Sequence, residues 1–144
     1  MQQPSSVTSR VTHALRRALA RAEALDAAAL AELDLAVRQY GVLALLQDGP
    51  RTRQHEVGAA LGLDRTTTAA LMRALAERGL VHREPVPGNT RTFVLRLTAE
   101  GERLRDAGES RLRAAEEALL APLAPSERPP LRTALARLVD PGPS

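Results

Sequence analysis

The chain has 144 residues, enough for one domain with a core of its own or a small module with accessory helices. It has no cysteine, which excludes disulfide scaffolds, thiol catalysis and thiolate zinc sites. Its net charge of +3 lies in the middle third: residues 51–96 carry eight Arg against four acids, while residues 1–50 balance at zero and 97–144 at −1.

The hydrophobic share is 44%, yet there is one Tyr, one Phe and no Trp. A core of Ala, Leu and Val suits close helix–helix packing, and Ala and Leu are strong helix formers, so a mainly α fold is expected. Residues 1–6 are polar and expected to fray. From Val7, apolar residues recur at Val11, Leu15, Leu19, Ala22 and Leu25, a helical stripe to about Leu30 with Ser6 as N-cap. A break at 32–35 precedes a second helix over 37–47 that carries Tyr40, Leu43 and Leu46 on one side and ends at Asp48-Gly49-Pro50. A third helix is expected over 53–61, with Val57 and Leu61 at i, i+4. Gly62-Leu63 breaks it, and Asp64 caps a fourth. In this fourth helix Thr68, Leu71, Met72 and Leu75 share one face, and Thr66, Ala70, Arg73 and Glu77 the other. Gly79 ends it. Strands over 80–85 and 92–97, joined by 86–91, form a hairpin in which Phe93, Leu95 and Leu97 alternate with Thr92, Val94 and Arg96. Thr98 caps a long fifth helix to about Leu120, and Leu131, Leu135 and Leu138 mark a last one that starts late because of Pro129 and Pro130.

Two short helices separated by Gly-Leu-Asp and followed at once by a hairpin form a winged helix-turn-helix. Its second helix enters the major groove while its apolar face stays in the core. Small, polar or basic residues on the exposed face admit base edges. Arg91, at the hairpin tip, can enter the minor groove or meet phosphate. The excess positive charge of the same third is the footprint of a polyanion partner. All twenty basic residues are Arg, which reads mainly as genomic base composition.

Four segments carry a resemblance: QYGVL (39–43), LGLDRTT (61–67), RGLVHR (78–83) and VLRLTAEG (94–101). On them the chain resembles the MarR family of bacterial transcriptional regulators, closely over 35–101 and more loosely at both ends. The resemblance implies three segments: an N-terminal dimerisation helix (1–34), a winged DNA-binding module (35–97) and C-terminal dimerisation helices (98–144). It also implies a cytoplasmic homodimer, usually a repressor, on a pseudo-palindromic operator. Arg65, Thr66, Thr67, Ala70 and Arg73 then lie on the reading helix, with Asn89 and Arg91 in the wing. Three departures matter. The third helix has Arg53 where the family commonly has a capping Ser or Thr, so Thr52 is expected to cap it instead. Asn89 stands where the family usually has an Asp that pairs with the wing Arg, which would leave Arg91 less restrained. Ala69-Ala70 follows the Thr pair, so direct base contacts are expected to be few.

The first helix is apolar over too broad a stripe for a lone surface helix. The fifth, at about 34 Å for 23 residues, is too long for a winged module alone to cover, so a second copy is the expected partner. The resemblance further implies a small anionic, often aromatic, effector, for which His13, Arg16, Arg17, Gln39 and Tyr40 are the candidate contacts. His13, His55 and His82 lie on three elements without i, i+4 pairing, so no metal is expected, and Glu116-Glu117 reads as a charged helix surface. No phosphate-cradling Gly-rich loop or nucleophile elbow is present, so no enzyme, catalytic residue or cofactor is expected. No apolar run can span a bilayer, and residues 1–9 lack the core of a signal peptide. The alternative of a different class is a winged-helix protein–protein adaptor that keeps the fold without the DNA contact.

Overall fold

The computed structural model describes residues 6–46 and 51–142. In chain order the elements are α1 (Val11–Ala31), α2 (Val37–Leu45), β1 (Thr52–Arg53), α3 (Gln54–Ala60), α4 (Arg65–Glu77), β2 (Val81–Val86), β3 (Asn89–Leu97), α5 (Ala99–Leu120), a 3-10 turn (Pro125–Glu127) and α6 (Arg128–Val139). The expected features at residues 1–5 and 48–50 lie outside the described residues. The chain divides into two compact units, one running from Asp26 to Leu112 and the other gathering the two ends, up to Leu25 and from Arg113 on.

The central unit is built on a continuous apolar core. Leu30, Leu35, Val42, Leu43, Leu46, Val57, Met72, Leu75, Leu80, Val81 and Leu95 are all buried in it, and Tyr40, Leu61 and Leu71 pack against its edge. A small antiparallel sheet in the order β1-β3-β2 closes one side. Strand β1 is an element that sequence periodicity does not announce: Thr52 and Arg53 pair with Leu95 and Val94. Thr52 is therefore a strand residue and not the expected helix cap. Arg53 occupies the N-cap of α3 instead, and its backbone N–H donates to Glu56 three residues on, half of a capping box.

Thr98 does cap α5. Its hydroxyl oxygen accepts from the Gly101 N–H at 3.0 Å and donates to the Gly79 carbonyl at 2.6 Å. A Cβ at Gly101 would stand 2.1 Å from the Leu80 carbonyl oxygen, so this helix start can sit on the β2 entry only because residue 101 has no side chain. Gly108 similarly admits the Tyr40 ring, whose Cδ2 would be 2.7 Å from a Cβ there. Burial and then Glu109 raise the Tyr40 pKa, with Arg105 opposing. Tyr40 is thus an edge-of-core aromatic.

The terminal unit is thinner. Glu117 pairs with Arg128 at 2.8 Å, and Glu116 takes both terminal nitrogens of Arg132 at 3.0 and 3.1 Å, tying α5 to α6. Ala115 and Leu120 are buried, while Leu19, Leu138 and Val139 are 58%, 65% and 86% exposed. The first helix begins at Val11 and not after Ser6. Residues 6–10 make turns instead, with the Ser9 hydroxyl donating to the Ser6 carbonyl. This is the local side-chain bonding by which Ser competes with helix.

Candidate nucleic-acid interface

Helix α4 is seated against α3 by one absent side chain and capped by one carboxylate. A Cβ on Gly58 would lie 2.4 Å from the Thr68 hydroxyl oxygen, so α3 and α4 meet with nothing between them. The Thr68 hydroxyl is buried and donates to the Asp64 carbonyl at 2.7 Å. Between the helices the chain turns at Gly62 (φ +67), where the Leu63 N–H donates to Gly58 and the Gly62 N–H to Ala59, the paired bonds of a Schellman stop. Gly79 (φ +72) ends α4 in the same way, through Leu80 to Leu75 and Gly79 to Ala76.

Asp64 then opens α4. Its carboxylate accepts the Thr67 N–H at 2.7 Å and the Thr67 hydroxyl at 2.9 Å. The Thr67 backbone bond, and after it the hydroxyl bond, hold the Asp64 carboxyl below its ordinary range. Burial in α4 follows the expected faces, with Thr68, Met72 and Leu75 buried and Arg65, Thr66, Ala70, Arg73 and Glu77 exposed. Thr67 differs from Thr66: it is half-buried and its hydroxyl proton is committed to the cap.

In the wing, the two-residue connection Pro87-Gly88 links β2 to β3, with Gly88 at φ +80 as a tight turn with Pro before it requires. This is shorter than the 86–91 loop expected from the sequence. Val86 pairs with Asn89, but the next pair is Pro85 with Phe93, so Thr90, Arg91 and Thr92 stand out of register on the β3 side. Asn89 holds that excursion. Its Oδ1 accepts the Arg91 N–H at 3.1 Å and its Nδ2 donates to the Thr92 hydroxyl at 2.9 Å. The amide thus holds the wing backbone with an acceptor and a donor, where a carboxylate supplies acceptors only, and the bond to Arg91 is to its backbone and not to its guanidinium.

Helices α3 and α4 and the wing line one cleft of about 520 Å³, whose walls include Gln54, His55, Arg65, Arg83, Arg91 and Phe93. No carboxylate is among its lining residues. Arg65 and Arg91, assigned from the sequence to different elements, are thus neighbours of one space. Arg73 lies on the same exposed helix face. Among the described residues, Arg65, Arg73 and Arg91 form no ion pair. The acid nearest along the strand, Glu84, alternates to the other sheet face and pairs with Arg51 at 3.7 Å.

The remaining candidates fall elsewhere. His13 and Arg17 are on α1, in the terminal unit. Gln39 and Tyr40 are on α2, in the central unit. The Gln39 Oε1 accepts the Ala36 N–H at 2.9 Å and an Arg78 N–H at 3.3 Å, so this residue caps α2 and ties it to the end of α4. Among the described residues no three His, Asp or Glu side chains gather as metal ligands, and no helix is long and apolar enough to cross a membrane. Gln54, Arg83 and Phe93 are among the cleft-lining residues outside the sequence-based set.

The profile of the MarR family matches residues 33–92. The chain is 30% identical over 137 residues to the HTH-type transcriptional repressor NicR of Pseudomonas putida KT2440, which covers 95% of this chain and 87% of that protein. The PcaV transcriptional regulator of Streptomyces coelicolor has a similar structure, with a TM-score of 0.78 and 32% identity over 92% of this chain and 96% of that one. The transcriptional repressor CouR bound to a 23-mer DNA duplex gives a TM-score of 0.82 at 27% identity, over 96% and 99% of the two chains. CouR of Rhodococcus jostii RHA1 has also been solved with p-coumaroyl-CoA.

Proposed function

The chain belongs to the MarR family of DNA-binding transcriptional regulators, and on that footing we propose that it acts as a homodimeric repressor of a pseudo-palindromic operator, released by a small molecule. One observation carries the reading of the site: Arg65 from the reading helix and Arg91 from the wing face one cleft without a carboxylate. A duplex supplies the negative charge that this arrangement lacks, with α4 in the major groove and the wing beside the backbone. Thr66 and Ala70 are the small exposed positions of α4 that face the base edges, and Arg73 lies further along the same side. Thr67 supports the helix start more than it reads sequence, since its hydroxyl already binds Asp64. Asn89 acts by holding the wing backbone that carries Arg91.

Two-fold pairing is supported by the apolar side chains that the terminal unit leaves in water, among them Leu15, Leu19, Leu135 and Leu138. The likeness to CouR, solved with DNA and with p-coumaroyl-CoA, supports an effector as well as an operator. Of the five effector candidates, Gln39 and Tyr40 already have structural duties, so His13, Arg16 and Arg17 are the cleaner positions to test. The relatives are regulators, and we assign this chain no catalytic role.

The deciding experiment is binding of the purified protein to the duplex upstream of its own gene, titrated at several salt concentrations. The expected result is nanomolar-range affinity that falls steeply as salt rises, because each neutralised phosphate releases counterions. Absence of salt-sensitive binding would leave a protein–protein adaptor. Arg91→Ala should weaken binding broadly, whereas Thr66→Ala should change which sequences are preferred.

A further inference from the structure

Arg83 has no part in the assignment above, yet its guanidinium is fixed at two points. Its Nε donates to the Gln54 Oε1 at 2.8 Å. Its Cζ lies 3.5 Å from the centroid of the Phe93 ring, the only Phe in the chain. One bond sets the direction of the fork and the stacking sets its plane. With Nε committed to Gln54, the four N–H groups on the two terminal nitrogens remain to be used. Arg83 lines the carboxylate-free cleft together with Arg65 and Arg91.

The out-of-register tip is what brings Arg83 there. A regular hairpin around Pro87-Gly88 would pair Arg83 with Thr92, whereas the three-residue excursion pairs it with Leu95. An odd offset exchanges sheet faces. Arg83 therefore shares its face with Phe93 and the buried Leu95, and is half-buried itself.

We propose that Arg83 grips a backbone phosphate of bound DNA in the cleft between α4 and the wing, and that Gln54 and Phe93 are positioning residues that hold its fork ready for that contact. This rests on the DNA-binding reading given above. A phosphate takes a guanidinium best through two parallel N–H bonds, and a fork already oriented loses little rotamer freedom on binding. Burial, and then the positive charge of Arg73, depress the Arg83 pKa. The cation is thus held in the free protein beside a like charge, and an entering anion offsets that repulsion.

The test is a salt series on a duplex that the wild-type protein binds. If the wild type binds no duplex, the functional reading fails before this one is reached. Arg83→Gln should lower the slope of log affinity against log salt by about one for each protomer, and lower affinity at moderate salt about tenfold or more. Arg83→Lys should keep the slope and lose affinity, since an ammonium is a point charge without a fork. Phe93→Leu and Gln54→Ala should also keep the slope and lose about three- to tenfold, because the charge remains but is no longer aimed. Melting temperatures recorded alongside separate a contact from a strut. An unchanged slope in Arg83→Gln, or wild-type affinity in Arg83→Lys, would overturn the proposal. If Arg83→Gln does not fold, the lysine variant decides it alone.

Discussion

The two compact units differ in how far each satisfies itself. Asp26–Leu112 buries eleven apolar side chains in one continuous core. It has helix stops at Gly62 and Gly79, and side-chain caps at Asp64 and Thr98. The unit made from the two ends buries Ala115 and Leu120 and leaves Leu15, Leu19, Leu135, Leu138 and Val139 at least 40% exposed. Its Glu116–Arg132 pair is exposed, and an exposed pair is worth about 0–1 kcal/mol. A segment that exposes this much apolar surface is a half-finished core. The central unit thus completes a core of its own, whereas the unit made from the two ends leaves apolar side chains in water.

Substitutions on each side should separate the two. Leu43→Ala removes a side chain with no solvent exposure and should cost about 3 kcal/mol. The loss should appear as a lower denaturant midpoint that is the same at every protein concentration. Leu19→Asp and Leu138→Asp should leave the dilute protein nearly as stable, yet weaken self-association about tenfold, the equivalent of about 1.4 kcal/mol. Sedimentation equilibrium reads that difference, and concentration-independent mass in the wild type would remove the contrast. Gly79→Ala places a Cβ at φ +72 and should cost about 1 kcal/mol, again without concentration dependence.

The smallest effect concerns acid. The Asp64 carboxyl loses its proton more readily in the folded chain than in the unfolded one. Its contribution is complete above the ordinary carboxylate pKa of about 3.9 and disappears as pH falls through the lower folded value. The melting temperature of Asp64→Asn should therefore change less than that of the wild type between about pH 5 and pH 2.

Much of the central unit is legible in the sequence because its rules are local. The two faces of α4 follow from a 3.6-residue period, the Thr98 cap from a hydroxyl three residues before Gly101, and the helix stops from Gly62 and Gly79. What escaped depends on partners distant in sequence. A two-residue strand such as β1 has no period to detect, and it forms only because Leu95 and Val94 are presented to it. Arg83 escaped for a subtler reason. Its sheet face is decided by the number of residues that leave register at the wing tip, and turn propensity does not count them. Once Asn89, Arg91 and Thr92 are seen bonded together, the offset and the position of Arg83 follow.

The junction of α3 and α4 has its own consequence. Residue 58 admits no Cβ because the Thr68 side chain, buried and bonded to the Asp64 carbonyl, already fills the space. The contact of α4 with α3 here is therefore a mechanical stop made by excluded volume, beside the Asp64 carboxylate that caps the helix start. A stop of that kind is not screened by ions, has no proton to lose and does not loosen as the dielectric changes. A change of salt therefore acts on the arginine-lined cleft and leaves this α3–α4 contact in place.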